Sequence, residues 1–492
     1  MPQRLVLFLI IMALNSSFAQ LSTLWNQSCD QFDDSTGEFV IETTAKDGYI
    51  VIGTYKDGSS YKHILLRTEA AGEITWTKKF EEYIHHWDCS AQPTSDGGYI
   101  LCGGGTDGWL KKCDRFGDEI WTRVYGDENY QFGRYAIQTG DGGFAFIGGY
   151  SPGPVGSRSD CKIWLIKTNA TGEMQWSNTY GGLGFDMGTS LLQTENKGYL
   201  ITGTTCLGGD YDYAFTLIKT DSSGVVQWLK NWRPSGYSCR PEETIQTEDN
   251  GSITVGTASW GDTEESFVYI VKSTASGDTL WTKMHKKGVS SRGSSIKGGL
   301  DGGYVVAATA AEKFKVNIFG RKLPDSKDAW IFKLNSKGDI EWEQLIGGPF
   351  NDTINHLHKN SDGSFIFTGY YGTDEGNYKI WLVKLSADGN VIIHTSIPPL
   401  MGFNLSHNYP NPFNPTTTIE YTVPRNAYVE INILDLLGRN VRKLVAEKKV
   451  AGTHEIKWDG RDDTGVLVSS GVYLYNMSSE ALRITRKLSL LR

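Results

Sequence analysis

The sequence predicts an all-β chain: a seven-bladed β-propeller followed by a small Ig-like antiparallel β-sandwich. Three observations carry this prediction. Gly is followed four residues later by Trp six times, at Gly72/Trp76, Gly117/Trp121, Gly172/Trp176, Gly224/Trp228, Gly277/Trp281 and Gly338/Trp342. Upstream of each pair a tight turn leads into an apolar strand, and a seventh unit repeats both landmarks, with Gly389 and Ile393 where the last pair should stand. After Ile397-Pro398-Pro399 the repeat stops, and apolar and polar residues alternate at period two.

Composition agrees with many short strands. The chain of 492 residues holds 57 Gly, 24 Tyr, 20 Phe and 15 Trp but only 14 Pro. Gly supplies positive φ in tight turns, and large aromatics fill gaps between sheets. The net charge of −8 is small and unclustered. It gives no electrostatic footprint for nucleic acid or an anionic membrane.

At the start, Arg4 precedes the apolar run Leu5 to Leu14, and Ser17-Phe18-Ala19 sets small residues before a cut at Gln20. That is the pattern of a secretory signal peptide, residues 1–19. No later stretch reads as a transmembrane segment. Cysteines at 29, 89, 102, 113, 161, 206 and 239 are odd in number and form no zinc spacing. Export would permit disulfides. Cys102 and Cys113 flank one hairpin at roughly cross-strand positions, so a bridge and chance spacing both account for them.

Residues 20–396 form the propeller. The turn-plus-strand landmarks are DGYIVIG at Asp47, DGGYILCG at Asp96, DGGFAFIG at Asp141, NKGYLITG at Asn196, NGSITVG at Asn250, DGGYVVAA at Asp301 and DGSFIFTG at Asp362. Each unit of about 45 to 60 residues holds four strand candidates, the content of one blade. The unit from Leu300 to Trp342 carries a longer insertion. A blade cannot bury both faces alone, so Trp76, Trp121, Trp176, Trp228, Trp281 and Trp342 read as packing between neighbours. Trp25, in LSTLWNQS, lies about as far before Tyr49 as Trp76 lies before Tyr99. Its strand is expected to complete the seventh blade, which lacks this Trp, and so to close the ring without an exposed edge.

The Gly and Trp behind an Asp or Asn, as in TDSSGVVQW from Thr220, resemble the tryptophan-docking repeat of quinoprotein propellers. That resemblance implies blade-to-blade locking. The adjacent cysteines those enzymes place beneath the quinone are missing, so it implies no dehydrogenase chemistry and no cofactor.

Residues 397–407 lead into the last domain, 408–492. Alternating runs at Thr418–Val423, Val429–Leu434, Thr453–Trp458, Gly471–Met477 and Ile484–Leu491, separated by Gly- and Asp-rich turns, predict a small antiparallel sandwich. NYPNPFNPTTTIEY from Asn408, ILDLLGRNVRKL from Ile433, AGTHEIKWDGRDDTG from Ala451, SSGVYLYNM from Ser469 and the ending ITRKLSLLR together resemble the type A C-terminal sorting domain of type IX secretion. The positions that carry the match are Asn408, Pro410, Asn411, Pro412, Asp435, Gly438, Arg439, Trp458, Asp459, Gly460, Gly471, Tyr473 and Lys487. The resemblance implies a Gram-negative cell, export to the periplasm, and recognition by the type IX machinery for passage to the surface or medium. Gly438 and Gly460 suit turns that need positive φ, and the prolines stiffen the lead-in.

No GxSxG, HExxH, phosphate-binding loop or EF-hand spacing is present. His356 and His358 would face one way on a strand, two nitrogens without a third metal ligand, and ordinary strand positions account for them. His85-His86-Trp87-Asp88 reads as a polar loop. A different candidate comes from the repeat. The start of each blade's first strand, expected near the channel mouth, holds Thr36, His86, Gln131, Asp186, Cys239, Ser291 and Asp352. Residue types differ at this station as a binding rosette requires, and relaxed drift gives the same diversity. His86, Gln131, Asp186, Ser291 and Asp352 are the ligand-binding candidates. Three functional classes follow: an exported module binding a glycan or protein, a polysaccharide-acting enzyme at the channel mouth, and a surface structural or adhesion component. Binding is favoured, because no catalytic constellation is visible.

Overall fold

The computed structural model describes residues 23–491 except 30–31, 33, 59, 84–88, 105–106, 153–159, 209–211, 261–264, 300, 317–321, 325, 349, 375, 387–403, 406–407, 424–426, 436–437, 450–451 and 480–481. The signal-peptide reading of residues 1–19 therefore lies outside the described residues, as do His86 and Gly389.

Seven four-stranded antiparallel sheets follow one another along the chain. Blade three shows the plan: Tyr130–Gln138 innermost, then Phe144–Ser151, Lys162–Thr168 and Met174–Tyr180 outermost, each hydrogen-bonded to the next. The turn between the first two strands is built by its own sequence. Thr139 Oγ1 donates to Asp141 at 2.6 Å, and Gly143 N donates to the same carboxylate at 3.1 Å. Lys167, on the third strand, ion-pairs with Asp141 at 2.8 Å. Between them Gly142 sits at φ 82°, which Gly adopts without the steric cost a side chain incurs. The same lysine or arginine clamp recurs as Arg67–Asp47, Lys112–Asp96 and Lys272–Asp249. Thus the Asp-Gly landmark holds three strands in register.

The Gly-to-Trp landmark joins blades. A Cβ added at Gly172, Gly224, Gly277 or Gly338 would lie 2.8 to 3.0 Å from the ring of Trp121, Trp176, Trp228 or Trp281, one blade earlier. Trp76 meets Gly117 in the same way. Each of these glycines also has positive φ. The outermost strand adds a polar tie to the same turn, with Tyr180 Oη donating to Gly224 O at 2.8 Å and His285 Nε2 3.0 Å from Gly338 O. Trp342 packs against the core shared by blades six and seven.

Ring closure is by the N-terminal strand. Thr23–Ser28 pairs antiparallel with Asn377–Leu385, setting Trp25 opposite Lys384 and Ser28 opposite Trp381. It is the outermost strand of blade seven, with Asn377–Leu385, Phe365–Asp374 and Thr353–Lys359 following inward in that order. Ser361 N donates to Glu42 Oε2 at 2.9 Å, sealing blade seven to blade one. In blade six the long insertion forms a short hairpin, Phe314–Val316 with Lys322–Pro324.

Two sheets make the C-terminal unit: Asn404–Leu405, Thr417–Val423 and Gly452–Trp458 in one, and Asn440–Lys449, Ala427–Leu434, Gly471–Ser479 and Leu482–Leu490 in the other. Between them Phe413, Ile419, Tyr421, Val429, Ile431, Ile433, Trp458, Tyr475, Leu488 and Leu490 are buried together. The alternation along Ala427–Leu434 places every second residue in this core.

Two sequence expectations are corrected. Across the Cys102 hairpin, Cys102 faces Leu110 while Cys113 faces Tyr99, so the two are not cross-strand partners, and none of the seven cysteines is in a disulfide. Burial pushes the Cys113 thiol up to about 12. At the first-strand station, the residue of blade one equivalent to Gln131 is Ser35 and not Thr36. Ser35 lies two positions before the register shift at Gly37, as Gln131 does before Gly133.

Candidate functional site

The first strands do not run straight past the channel. In six blades the pairing with the second strand shifts register at one place: Gly37/Phe39, Gly133/Tyr135, Gly188/Ser190, Pro241/Glu243, Gly293/Ser295 and Ile354/His356. A β-bulge leaves one residue unpaired and re-aims its side chain. The residues so released are Glu38, Arg134, Thr189, Glu242, Ser294 and Asn355. Blade two supplies Cys89 at the matching place, five residues before Thr94 as Arg134 is before Thr139. All seven line one cavity of about 350 Å³ at the centre of the ring.

Charge at this mouth is largely committed. Arg134 Nη2 donates to Glu242 Oε2 at 2.6 Å across the intervening blade four. Asn355 Nδ2 donates to Gly37 O at 3.0 Å and to Thr36 Oγ1 at 3.1 Å, with Glu38 Oε2 at 3.4 Å. Ser90, Thr189, Thr257, Ser294, Thr309 and Thr353 and the rings of Phe39, Tyr135, His356 and Tyr370 complete the wall.

Below the bulges lies a buried ionic cluster. Glu243 accepts from Ser295 Oγ at 2.6 Å and Ile296 N at 2.9 Å, and pairs with Lys297 Nζ. Burial alone would raise its pKa, but the Lys297 ammonium and His356 outweigh that and hold the carboxylate well below its usual range. His356 stacks on Phe39, ring centroids 3.5 Å apart. Its Nδ1 accepts from Val40 N at 3.3 Å, so the neutral ring carries its proton on Nε2, 3.8 Å from Glu243 Oε1. Burial and the Lys297 charge push His356 down to about 4, and burial pushes His358 down to about 3. The two histidines share a strand face, and among the described residues no group of three His, Cys, Asp or Glu side chains is placed to hold a metal ion.

The first-strand station sits three residues before the bulge. Gln131, Asp186, Ser291 and Asp352 are all buried. None lines the central cavity. Asp186 accepts from Gly182 N at 2.8 Å and Cys206 N at 2.9 Å. Ser291 Oγ accepts from Lys287 N at 2.8 Å, Asp352 accepts from Gly348 N and Gly372 N, and Gln131 donates to Asp127. These side chains fasten the loop that enters each blade. Burial raises Asp352 to about 7. Cys239 is buried at the same station, its thiol pushed up to about 12 by desolvation. The bulge residues escaped sequence reasoning. Their signal was the Gly at the bulge (Gly37, Gly133, Gly188, Gly293), ahead of a side chain that differs from blade to blade.

In the C-terminal unit one motif is fastened to the last strand and the others build turns. Asn411 Oδ1 accepts from Ser489 N at 2.9 Å and its Nδ2 reaches Lys487 O at 3.5 Å. Asn408 is buried, donating from Nδ2 to Thr417 Oγ1 at 2.9 Å and Pro410 O at 3.1 Å, and Pro412 leads Phe413 into the core. Asp435 accepts from Arg439 N and Nε at 2.9 and 2.6 Å, around Gly438 at φ 78°. Trp458 Nε1 donates to Arg461 O at 2.8 Å past Asp459 and Gly460, the latter at φ 70°, and Tyr473, two residues after Gly471, meets the Trp458 ring edge-on. The Lys487 side chain itself is exposed.

Fold and site together define a seven-bladed β-propeller with a polar, bulge-lined central mouth and a C-terminal Ig-like domain. The model of the FlgD Ig-like domain matches residues 414–482. No curated protein matches the chain. Similar solved structures include a protein of unknown function from Bacteroides caccae, 12% identical, covering 62% of this chain and 91% of that one, TM-score 0.35. PorZ, a surface component of the type-IX secretion system of Porphyromonas gingivalis, is 12% identical, covering 91% and 69%, TM-score 0.32. A fungal alcohol oxidase in complex with copper is 11% identical, covering 96% and 99%, TM-score 0.47. Likenesses this distant say nothing about what this chain binds.

Proposed function

We propose that the chain is an exported propeller that binds an extracellular ligand, glycan or protein, in its central mouth, and that the C-terminal domain directs its passage across the outer membrane. The observation that carries the binding reading is the bulge rosette. Seven first strands each deliver one side chain to a single cavity, and those side chains are two carboxylates, a guanidinium, an amide, two hydroxyls and a thiol. A site that recognises one ligand from seven directions needs such unlike groups on a rigid frame. The blade-to-blade ties make the frame rigid. Export rests on the N-terminal signal pattern, and delivery on the five C-terminal motifs, the first of which holds the last strand through Asn411 and Phe413.

The test is a glycan-array and protein-capture screen with the full chain. At least one extracellular ligand class is expected to be retained reproducibly. Retention of none, with turnover on polysaccharide substrates instead, would replace binding by catalysis.

A further inference from the structure

One charged side chain at the mouth is uncommitted. Arg292 lines the cavity from blade six and is exposed, and among the described residues no carboxylate, carbonyl or ring engages its guanidinium. Its neighbours show that this is not the rule. Arg134 is paired with Glu242, and Arg240, at the same register in blade five, lies over the Tyr213 ring at 5.0 Å. Lys287, at the loop leading into blade six, is paired with Glu343. Arg292 therefore offers five N–H donors in a planar fork to whatever enters, a geometry that matches a carboxylate bidentately.

Around it the wall suits a sugar. Thr309 stands directly opposite Arg292 in the strand pairing, and Thr257 and Ser294 line the same cavity. Tyr370 adds a ring on that side. A volume of about 350 Å³ holds a unit or two of a saccharide chain and not a folded partner.

Resting on the binding reading above, we propose that the ligand is a carboxylate-bearing sugar, a uronate residue or uronate chain end, whose carboxylate is held by Arg292 while the hydroxyl-rich wall takes its ring. The alternative anionic ligand, an acidic peptide, has less to use here. Its backbone would seek an unpaired strand edge, whereas the cavity offers side chains, among them the free Arg292 fork, hydroxyls, an amide and already partnered carboxylates.

The experiment is calorimetric titration of the full chain with tri-galacturonate, with its fully methyl-esterified form, and with tetra-glutamate. Tri-galacturonate is expected to bind at least about tenfold more tightly than its ester or the peptide, since loss of a charge-assisted bidentate contact costs on the order of tenfold or more. Arg292→Gln should remove that preference and Arg292→Lys should restore part of it. Arg292 is exposed, so unchanged thermal midpoints are expected for both variants. Equal binding of acid and ester, an unaffected Arg292→Gln, tighter binding of tetra-glutamate, or no binding of any probe would each overturn the uronate assignment. A neutral ligand from the array, displaced by a mouth-filling Ser294→Trp, would leave the binding reading standing while the uronate assignment fell. Loss of both results would remove both.

Discussion

Arg134 of blade three reaches past blade four to Glu242 of blade five, with 2.6 Å between Nη2 and Oε2. The pair links two non-adjacent blades across the mouth of the channel. Both side chains are partly exposed, at 17% and 35%. Solvent screening therefore keeps their coupling small. A double-mutant cycle with Arg134→Met and Glu242→Gln is expected to give a coupling of about 1 kcal/mol or less. Denaturant unfolding measures it; a coupling of several kcal/mol would mean that the pair holds the ring closed.

The buried cluster sets a pH dependence. His356 keeps a pKa of about 4 in the fold against 6.5 unfolded, so the unfolded chain takes up the proton first as pH falls. Stability from this group is complete above pH 6.5 and is lost progressively toward pH 4. Glu243, whose pKa is depressed, adds a loss only below the ordinary carboxylate range. The His356 contribution amounts to about 3 kcal/mol. His356→Asn, which keeps an acceptor for Val40 N, should reduce the slope of stability between pH 6.5 and 4, leaving the part that His358, also held low by burial, contributes in the same window. An unchanged slope would show that His356 is not the group responsible.

Gly224 and Gly142 separate the two costs of replacing a blade glycine. Both have φ near 80°, but only Gly224 lies under a neighbouring ring, that of Trp176, whereas Gly142 faces open space. Gly142→Ala should cost about 1 kcal/mol from backbone strain alone. Gly224→Ala should cost roughly 1 to 3 kcal/mol more, because the Asn178 amide, which the added Cβ would overlap, and the Trp176 ring, 2.9 Å from it, must both move. Equal losses in chemical denaturation would mean that Trp docking adds nothing to the strain.

Most of the architecture was legible because it is repeated. The Gly-to-Trp spacing and the Asp-Gly turn each have a single mechanical use, which one sequence shows six and seven times over, and the odd strand at Trp25 fills the one gap they leave. The binding mouth was not legible for the opposite reason. Counting back from the Asp-Gly turn led to Gln131, Asp186, Ser291 and Asp352, which are polar and variable but buried against loop backbone. The bulge three residues later turns the next side chain inward, and no propensity marks which residue it releases. Glu243 was hidden in the same way, its partners Lys297 and His356 arriving from blades six and seven.

The C-terminal strand makes a prediction about delivery. Leu488 and Leu490 are fully buried, and Asn411 holds the backbone at Ser489. Deleting residues 484–492 should therefore both unfold the C-terminal domain and leave the protein in the periplasm. Lys487→Ala, at an exposed side chain, should leave the fold intact and reports on recognition alone. Cell fractionation distinguishes the cases, and appearance of the truncated chain outside the cell at the normal level would contradict the sorting role.

The central claim is that ligand enters the bulge-lined mouth, and Ser294 gives the most direct access to it. Its side chain is released by a bulge and lines the cavity, and Ser294→Trp would fill the mouth without touching a blade tie. The measurement is ligand capture by wild-type and Ser294→Trp chains matched for thermal midpoint. The prediction is loss of the captured ligand by at least about tenfold in the variant; retention at the wild-type level would place binding elsewhere on the molecule and contradict the claim.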